Sequence, residues 1–401
     1  MVKNLMGKKQ AGSFFVLLSL FSMLMLPGQA RSAVDALDNP ALMSQKASRA
    51  LLLNVVRAGS RLVAVGEHGI IVYSDDQGAH WIQARVPVSV TLTAAYFPQP
   101  LTGWAVGHDG VILHSTTGGS SWTRQFDGNE ANRLMQTEAQ IRLDHANELL
   151  SKAQASGKVD AQRAVTDAQN ALAEVEAGMK FGPSRPLLGV WFNDDKEGFV
   201  VGSYGQIFHT ADAGSHWESL ALRLNNPQGL HYNAIGSTPS GALVIAGEAG
   251  KVYRCADHGT TWQTLDTGYQ GQLFGVLGIP AGKGAEKLLA FGFGGHIFQS
   301  DAEEKHWTEL ASVTKKNLVA GTILKDGSVQ LVGQDGSILR SDQQVREFHL
   351  IQPGSGLSIA GALQSASGDK AIMAGSGGSH AISSANEHAG NNAAHPGKVN
   401  P

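Results

Sequence analysis

The hydrophobic pattern of residues 186–220 predicts four short β-strands joined by tight turns. Apolar runs at residues 188–192, 198–201, 206–210 and 216–220 are rich in Val, Ile, Phe and Trp, and Gly, Asp or Asn residues separate them. Runs of this length and composition are typical of strands. Four antiparallel strands in roughly 35 residues make one blade of a β-propeller.

The same unit recurs along the chain, and one glycine position marks each repeat. A Gly-x-x-Gly hairpin opens at seven positions: Gly66, Gly107, Gly202, Gly247, Gly292, Gly333 and Gly375. Their spacing is roughly 40 to 45 residues except for one gap of about 95, and such a period is typical of propellers. In the unit described above, we expect Gly202 and Gly205 to relieve positive-φ strain. The pattern predicts an all-β fold, a seven-bladed β-propeller over residues 51–385.

An inserted helical hairpin accounts for the long gap. Within residues 128–185, apolar residues recur at spacings of three and four in two segments that Gly157 separates. The recurring residues are Met135, Ala139, Ala146, Leu149 and Ala153, then Ala161, Val165, Ala168, Leu172, Val175 and Met179. This periodicity predicts an antiparallel pair of amphipathic helices between blades two and three. Because an Ala-rich seam buries little area, we expect a projecting, mobile arm.

A second turn motif, the Asp-box, joins the third and fourth strands of several units. Its aspartate and tryptophan positions are held by Asp76, Trp81, Trp122, Asp212, Trp217, Asp257, Trp262 and Trp307. Thr117 replaces the aspartate in blade two, and Ala302 stands at its place in blade five. Such a carboxylate can accept hydrogen bonds from its own turn while the tryptophan packs on the blade. We therefore interpret these aspartates as structural, and Cys255, the only cysteine, as a structural substitute for serine in its turn.

The two ends of the chain differ from the repeats. Residues 1–30 contain three lysines, an apolar run and then small residues, which is the pattern of a signal peptide. We expect an exported, periplasmic protein, or a membrane-associated one if the apolar run is retained as an anchor. Residues 31–50 form a lead-in that could wrap the ring or supply the fourth strand missing from blade seven. Residues 386–401 have no apolar period, which predicts a disordered tail.

Composition agrees with a large, turn-dense globular protein. Of 401 residues, 42% are hydrophobic, 16% are charged and 49 are glycine. The formal net charge of -3 gives no indication of a nucleic-acid partner. The 15 histidines show no zinc-ligand spacing, so the sequence predicts neither a metal site nor a cofactor, and it leaves the oligomeric state open.

Three motifs in order within residues 188–217 resemble a known family. They read Leu-Gly-Val-x-Phe, Gly-Phe-Val-Val-Gly-x-x-Gly-x-Ile and Thr-x-Asp-x-Gly-x-x-Trp, and they resemble the photosystem II stability and assembly factor family of BNR (Asp-box) repeat propellers. The resemblance covers residues 51–384 and is strong in blades one to four. It implies a lumenal or periplasmic assembly chaperone that docks on a membrane protein subunit.

The resemblance also implies a basic patch on one propeller face. The arginines of this chain do not all recur at one repeat position, so the patch cannot be transferred to Arg57, Arg61, Arg124, Arg223, Arg254 and Arg340.

Asp-box repeats also occur in sialidases and other glycosidases, so catalysis must be weighed. A sialidase needs an arginine triad, a tyrosine nucleophile activated by a glutamate, and an acidic proton donor. The Phe-Arg-Ile-Pro element of such enzymes is absent, and Tyr73, Tyr204 and Tyr253 fall in repeat strands or hairpins. We expect a non-enzymatic protein, with a sialidase-like glycoside hydrolase or a glycan-binding lectin as the alternatives.

The hairpin turns are the candidate interaction face. In a propeller they share one face with the connections between blades, and the helical arm occupies one of those connections. Exposed side chains on a rigid glycine frame suit recognition. The candidates are Glu67, His68, His108, Asp109, Ser203, Tyr204, Glu248, Phe293, Gln334 and Asp335. We expect a protein partner, and an assembly or accessory role for a membrane or envelope complex.

Overall fold

The computed structural model describes residues 35–282, 284–364 and 370–383. Within these residues the chain forms 27 β-strands in seven antiparallel sheets, with two α-helices between the second and third sheets. The all-β, seven-bladed propeller with a helical insertion is thereby confirmed. The predicted signal peptide and the predicted disordered tail lie outside the described residues and stay predictions.

Each sheet is one blade, and its strands follow one another in sequence order. Blades one and two contain β1 Leu52–Ala58, β2 Arg61–Gly66, β3 Ile71–Ser74, β4 Ile82–Gln83, β5 Leu92–Tyr96, β6 Gly103–Gly107, β7 Ile112–Ser115 and β8 Thr123–Phe126. The helices are α1 Gly128–Lys152 and α2 Lys158–Met179. Blades three and four contain β9 Leu187–Phe192, β10 Gly198–Gly202, β11 Ile207–Thr210, β12 Glu218–Ser219, β13 Tyr232–Ser237, β14 Leu243–Gly247, β15 Lys251–Cys255 and β16 Gln263–Asp266. Blades five to seven contain β17 Leu273–Gly282, β18 Ala285–Gly292, β19 Ile297–Ser300, β20 Trp307–Leu310, β21 Leu318–Ile323, β22 Val329–Gly333, β23 Ile338–Ser341, β24 Phe348–Gln352, β25 Ile359–Gln364, β26 Lys370–Gly375 and β27 Gly378–Ser383.

The first strands of the blades pack around a common axis. Each of β1, β5, β9, β13, β17, β21 and β25 contacts the first strand of the next blade, and β25 contacts β1, which closes the ring. Antiparallel order places the Gly-x-x-Gly turns and the blade-to-blade connections on one face, which we call the hairpin face. The opposite face carries the Asp-box turns, and we call it the Asp-turn face.

The hydrophobic core lies between neighbouring blades. At the junction of blades two and three, Trp104 of β6 is fully buried and stacks on Phe192 of β9, with ring centroids 3.5 Å apart. Phe126, Phe208 and Trp217 complete the cluster from β8, β11 and the turn that follows β11. Burial of this kind stabilises the ring roughly in proportion to the apolar area removed from water.

The repeated glycine at the end of each second strand is required for a reason that the sequence did not indicate. Gly66 and Gly202 have φ values of -169° and -165°, which is extended backbone that any residue adopts. A Cβ at Gly66 would lie 2.0 Å from the carbonyl oxygen of Leu51. The expectation of positive φ was therefore wrong for Gly202, although it holds for Gly205 at φ +70°.

One backbone hydrogen bond explains this close approach. The residue after the glycine donates its N–H to the carbonyl of the residue before the first strand, as Glu67 N does to Leu51 O at 3.0 Å. The same bond recurs in the other blades at 2.7 to 3.1 Å, from His108 to Thr91, Ser203 to Pro186, Glu248 to His231, Phe293 to Gln272, Gln334 to Asn317 and Ser376 to Ser358. It draws a carbonyl over the glycine Cα and fastens each hairpin turn to the start of its own blade.

Blade seven closes the ring in a different way from the one considered in the sequence. Its described sheet has three strands, β25 to β27, and residues 35–50 form no strand beside it. Instead, a short 3₁₀ turn at Ala47–Arg49 lies against β27, and Ala47 joins Leu52, Ile372 and Ala374 in the core between blades seven and one. The lead-in thus contributes a buried side chain to the closure, and the strand exchange expected from the sequence is not formed by residues 35–50.

The helical arm is anchored at its base. Ala131, Leu134 and Met135 of α1 pack into the core cluster between blades two and three. Ala146, Val165 and Ala168 form the seam between the helices, with Leu143 and Leu150 beside them. Leu149, which the periodicity placed in this seam, is 50% exposed. The base of α1 therefore packs against the propeller, which the sequence did not indicate, and the projecting, mobile arm stays a prediction for the part beyond Leu143.

Candidate binding face

The ten candidate residues all lie in the hairpin turns, but the structure divides them by role. Three of them bond the backbone at the start of the first strand of their own blade. Glu67 Oε1 accepts from Leu51 N at 2.8 Å, and Glu248 Oε2 accepts from His231 N at 2.8 Å. Ser203 is buried, and its Oγ donates to Pro186 O at 3.2 Å. These three side chains therefore hold their hairpin turns against the first strands of their blades.

The remaining candidates present side chains to solvent to different degrees. His68, His108, Tyr204, Phe293 and Gln334 are exposed, Tyr204 by 58% and Phe293 by 54%. Asp109 and Asp335 are half-buried. Burial raises the pKa of Asp109 above its ordinary value, and Asp335 Oδ1 accepts from Ser337 N at 3.1 Å.

A row of contacting side chains connects the arm to blade four on the hairpin face. The Arg185 guanidinium lies 5.2 Å from the centre of the Tyr204 ring. Tyr204 in turn meets His231 edge-on at 4.9 Å, and His231 Nδ1 lies 3.7 Å from Glu248 Oε1. Sequence reasoning missed Arg185 and His231, because neither lies in a hairpin turn and their neighbours come from other segments.

The aromatic surface continues onto blade five. Tyr269, in the connection between blades four and five, packs against His296 with ring centroids 4.6 Å apart. Its hydroxyl donates to Phe293 O at 3.2 Å, which fixes the turn that exposes the Phe293 ring. The hairpin face therefore has a group of aromatic side chains that extends from the arm to blade five. We call it the aromatic sector, and it consists of Tyr204, His231, Tyr269, Phe293 and His296.

The arm base is also joined to blade three by polar contacts. Glu138 Oε2 accepts from Ser219 Oγ at 2.5 Å, and Glu138 Oε1 accepts from Leu222 N at 3.0 Å. A groove of about 290 Å³ lies between α1 and this part of blade three. No sequence pattern indicates these contacts of Glu138, because they join residues 81 and 84 positions apart.

A second cavity lies on the propeller axis. It has a volume of about 680 Å³ and is lined by the first strands. The residues after the buried start of each first strand line it: Leu53, Thr93, Leu188, Asn233, Phe274, Val319 and Ala360. Two of these seven side chains are polar and bonded to backbone, since Thr93 Oγ1 donates to Leu187 O at 2.6 Å and Asn233 Nδ2 donates to Leu273 O at 3.0 Å. Asn54, Asn317 and Ser358 also line the cavity, so its wall is a mixture of polar and apolar side chains.

The aspartates of the Asp-turn face bond to their own turns. Asp212 Oδ1 accepts from His216 N at 2.9 Å and from Thr210 Oγ1 at 2.9 Å. Asp76 makes the equivalent bonds with His80 N and Ser74 Oγ, each at 2.8 Å. These contacts fit the structural interpretation of the sequence.

Cys255 takes the place of serine in the same arrangement. Its buried Sγ donates to Asp257 Oδ1 at 3.0 Å and accepts from Gly259 N at 3.0 Å. Burial raises the pKa of the thiol, which keeps it protonated and able to donate. Both contacts are those of Ser74 Oγ in blade one.

The tryptophans of these turns lie over the turn glycine. The indole Nε1 donates to Gly78 O from Trp81, to Gly119 O from Trp122 and to Gly259 O from Trp262, at 2.9 to 3.2 Å. The Nε1 atoms of Trp217 and Trp307 have no hydrogen-bond partner in the described part of the chain. The motif thus fixes the third-to-fourth-strand turn in blades with and without the aspartate.

Blades five and six carry this carboxylate at a shifted position. Asp301 Oδ1 accepts from Lys305 N at 2.9 Å, and Asp342 Oδ1 accepts from Arg346 N at 2.6 Å. Each lies six positions before the aromatic residue instead of five. The prediction from sequence that Ala302 stands in the aspartate place of blade five is therefore wrong, since Asp301 makes the bond.

Acid should weaken the Asp-box turns. The His216 ring and the His216 N–H hold the pKa of Asp212 at about 2, below its ordinary 3.8. Because the pKa is lower in the folded state, the stabilisation is complete above about pH 4 and is lost as the pH falls toward 2. We expect Asp212→Ala to lower the Tm at neutral pH, and the difference from wild type to shrink as the pH falls from about 4 to about 2. A constant difference across that range, measured by circular dichroism, would contradict this assignment.

Two further findings concern other kinds of site. Among the described residues, no group of His, Cys, Asp and Glu side chains could hold a metal ion. Neither helix of the described part is both long and apolar enough to cross a bilayer.

Comparison with known proteins identifies the fold. No protein-family model matches the chain. A stretch of 66 residues, 16% of the chain, is 36% identical to the photosystem II assembly lipoprotein Ycf48 of Synechococcus sp. (strain CC9902) and matches 20% of that protein. The solved structure of YCF48 bound to D1 peptide superposes with a TM-score of 0.57 at 17% identity, covering 85% of this chain and 97% of that one. The chain has the Ycf48 propeller fold.

A second Ycf48 structure agrees. YCF48 from Cyanidioschyzon merolae gives a TM-score of 0.56 at 13% identity, again over 85% of this chain and 97% of that one. The Ycf48-like propeller confirms the photosystem II assembly factor-like resemblance of the repeats. Because the curated match spans only a fifth of the Ycf48 lipoprotein, activity and partners are not transferred by it.

Proposed function

We propose that this chain is an exported, non-enzymatic propeller that binds a protein partner on its hairpin face, as an assembly or accessory factor for a membrane or envelope complex. The observation that carries the proposal is the aromatic sector beside the arm, where Tyr204 and Phe293 are exposed on turns fixed by buried hydrogen bonds. Large exposed aromatic side chains on a rigid frame are typical of protein recognition sites.

The comparisons support an assembly role of this kind. One solved neighbour of this fold is YCF48 bound to D1 peptide, so a propeller of the same architecture binds a peptide. The lead segment of residues 1–30, with its signal-peptide pattern, supports export to the periplasm.

The sialidase alternative is less well supported by the tyrosines. Burial raises the pKa of Tyr253 to about 12, which is the opposite of what a tyrosine nucleophile needs. Tyr232 lies against it with ring centroids 5.0 Å apart, and burial raises the pKa of that phenol too. Both residues have the environment of core side chains.

Site-specific cross-linking tests the proposed face. A photoreactive amino acid at Tyr204 should cross-link a protein of the envelope fraction, whereas the same group at Leu101, exposed in a first-to-second-strand turn on the Asp-turn face, should not. The double variant Tyr204→Ala/Phe293→Ala should lose capture of that protein by at least about tenfold, as expected when two aromatic anchors are removed. The matched control is Leu101→Ala/Ile82→Ala, which removes two exposed apolar side chains elsewhere.

Three results would count against the proposal. Equal cross-linking from both positions would mean that the hairpin face is not selective. An unchanged capture by Tyr204→Ala/Phe293→Ala would remove the aromatic sector from the site. Binding to a glycan array that depends on Tyr204 would favour the lectin alternative.

The arm can be tested without disturbing the core. Removing all of residues 128–185 would expose the cluster that Ala131 and Met135 cover. Replacing residues 143–169 by a short Gly-Ser linker keeps this base and removes the projecting part. The shortened protein separates a role of the arm tip from a role of the groove at its base.

A further inference from the structure

The groove at the arm base has one wall from the arm and one from the propeller. Met135 and Val175 form apolar parts of the arm wall, while Tyr204 and Leu222 contribute to the facing wall. Between Met135 and Arg142, α1 rises by about 10 Å. That length matches about three residues of an extended peptide.

Arg185 lines this groove, and its guanidinium lies between Met135 of α1, Gly178 of α2 and the Tyr204 ring. Its Nη1 lies 3.6 Å from Met135 Sδ, and its guanidinium lies beside the Tyr204 ring. A Cβ at Gly178 of α2 would lie 2.9 Å from Arg185 Nη2. Gly178 is the last residue but one of α2, so the guanidinium lies against the end of that helix.

The Arg185 cation lacks a strong acceptor. It makes no ion pair within the residues that the structure describes, and burial lowers its pKa. A thioether sulfur is a weak acceptor, and an aromatic ring compensates a cation only in part. A planar guanidinium in these surroundings retains N–H donors with the geometry that a carboxylate matches.

The other charged groups of the groove leave this position open to an anion. Both oxygens of Glu138 already accept hydrogen bonds from blade three. Glu174 forms no ion pair with Arg185 within the described residues and is exposed, and its negative charge only partly offsets the effect of burial on the Arg185 pKa. Arg142 is exposed and has no ion pair in the described ranges. An incoming carboxylate therefore meets Arg185 with Arg142 nearby, while Glu138 stays bonded to the propeller.

We propose that this groove binds an acidic side chain of the partner, an internal Asp or Glu flanked by apolar residues. The carboxylate accepts hydrogen bonds from the Arg185 guanidinium, and the flanking side chains pack on Met135, Val175 and Leu222. The inference rests on the proposed function and names the chemistry that the partner presents.

Methionine methyl groups provide a local reporter for the test. The full chain is labelled with ¹³C-methyl methionine, and the Met135 signal is assigned with Met135→Leu. The probes are the capped peptides acetyl-Gly-Leu-Glu-Leu-Gly-amide and its Gln counterpart, so that no peptide terminus carries a charge. The Glu peptide should shift the Met135 signal with an affinity about tenfold above that of the Gln peptide, as a charge-assisted hydrogen bond predicts.

Variants assign the discrimination to one side chain. Arg185→Leu should remove the difference between the two peptides, and Arg185→Lys should retain part of it. The matched control is Arg163→Leu, an exposed arginine of α2 whose ion-pair partner Asp160 lies 3.7 Å away. It should behave as wild type.

The outcomes separate this inference from the proposed function. Equal affinity for both peptides, no shift of Met135, or unchanged discrimination in Arg185→Leu overturns the acidic-residue site, and cross-linking from position 204 then shows whether the face still binds its partner. Binding only of an uncapped peptide through its terminal carboxylate also overturns it, in favour of chain-end capture. If the peptides do not shift the Met135 signal and position 204 gives no cross-link either, the proposed function is overturned as well.

Discussion

Gly66→Ala is expected to destabilise the propeller by about 3 kcal/mol, because the added methyl group would overlap a carbonyl that the fold holds in place. Its Cβ would lie 2.0 Å from Leu51 O and 2.8 Å from Leu52 Cα. Backbone cannot rotate away as a flexible side chain can, and Leu51 O is held there by its hydrogen bond from Glu67 N. Chemical denaturation with urea measures the loss.

Two other glycines make this a graded test. A Cβ at Gly247, the equivalent position in blade four, would lie 3.0 Å from His231 O, so Gly247→Ala should cost less than Gly66→Ala. Gly236, in β13, has no atom within 4 Å of its Cβ position and should tolerate alanine. If all three variants lost the same stability, the close carbonyl would not be the reason for the regular spacing of glycine in these repeats.

The blades could be predicted from sequence because each is a local unit. Every sheet pairs strands that follow one another, so hydrophobic runs, turn residues and the glycine period contain the necessary information. The steric role of the glycine could not be read in this way. It depends on a carbonyl about 15 residues away, drawn close by a hydrogen bond that leaves no sequence pattern.

The candidate site was predictable only in part. Position along the repeat placed the hairpin residues on one face, but not which of them point outward. Glu67 and Glu248 look like exposed charges in sequence, and the structure uses both as acceptors for backbone N–H groups. Arg185 and Glu138 belong to the insertion, where no repeat exists for comparison, so their contacts with blade three required the structure.

The junction of blades two and three has a special requirement. Elsewhere a short connection limits how far neighbouring blades can separate, whereas here the connection contains the whole helical arm. Side chains must then hold the two sheets together. Trp104 Nε1 donates to Gln125 Oε1 at 3.0 Å, and Gln125 Nε2 donates to Ala213 O of blade three at 2.9 Å.

Trp104→Ala is expected to cost about 4 kcal/mol, since it removes a fully buried aromatic residue and leaves a cavity. The loss should exceed that of an ordinary core position for two reasons. The Trp104 ring stacks on Phe192 at an interplanar angle of 7°, and its indole N–H holds Gln125 in the bridge to blade three. Urea denaturation gives the change in stability, and limited proteolysis within residues 128–185 reports opening of this junction.

Trp104→Phe and Trp307→Ala separate the two contributions. Phenylalanine keeps a stacked ring but loses the hydrogen bond to Gln125, so the cost should fall to about 1–2 kcal/mol. Trp307 is only half-buried on the outer strand of blade five, so Trp307→Ala should destabilise less than Trp104→Ala and should not make the arm more sensitive to protease. Equal losses for the two alanine variants, with equal cleavage of the arm, would mean that the long connection places no extra demand on this interface, and that the arm itself holds the blades together through Glu138 and the side chains at its base.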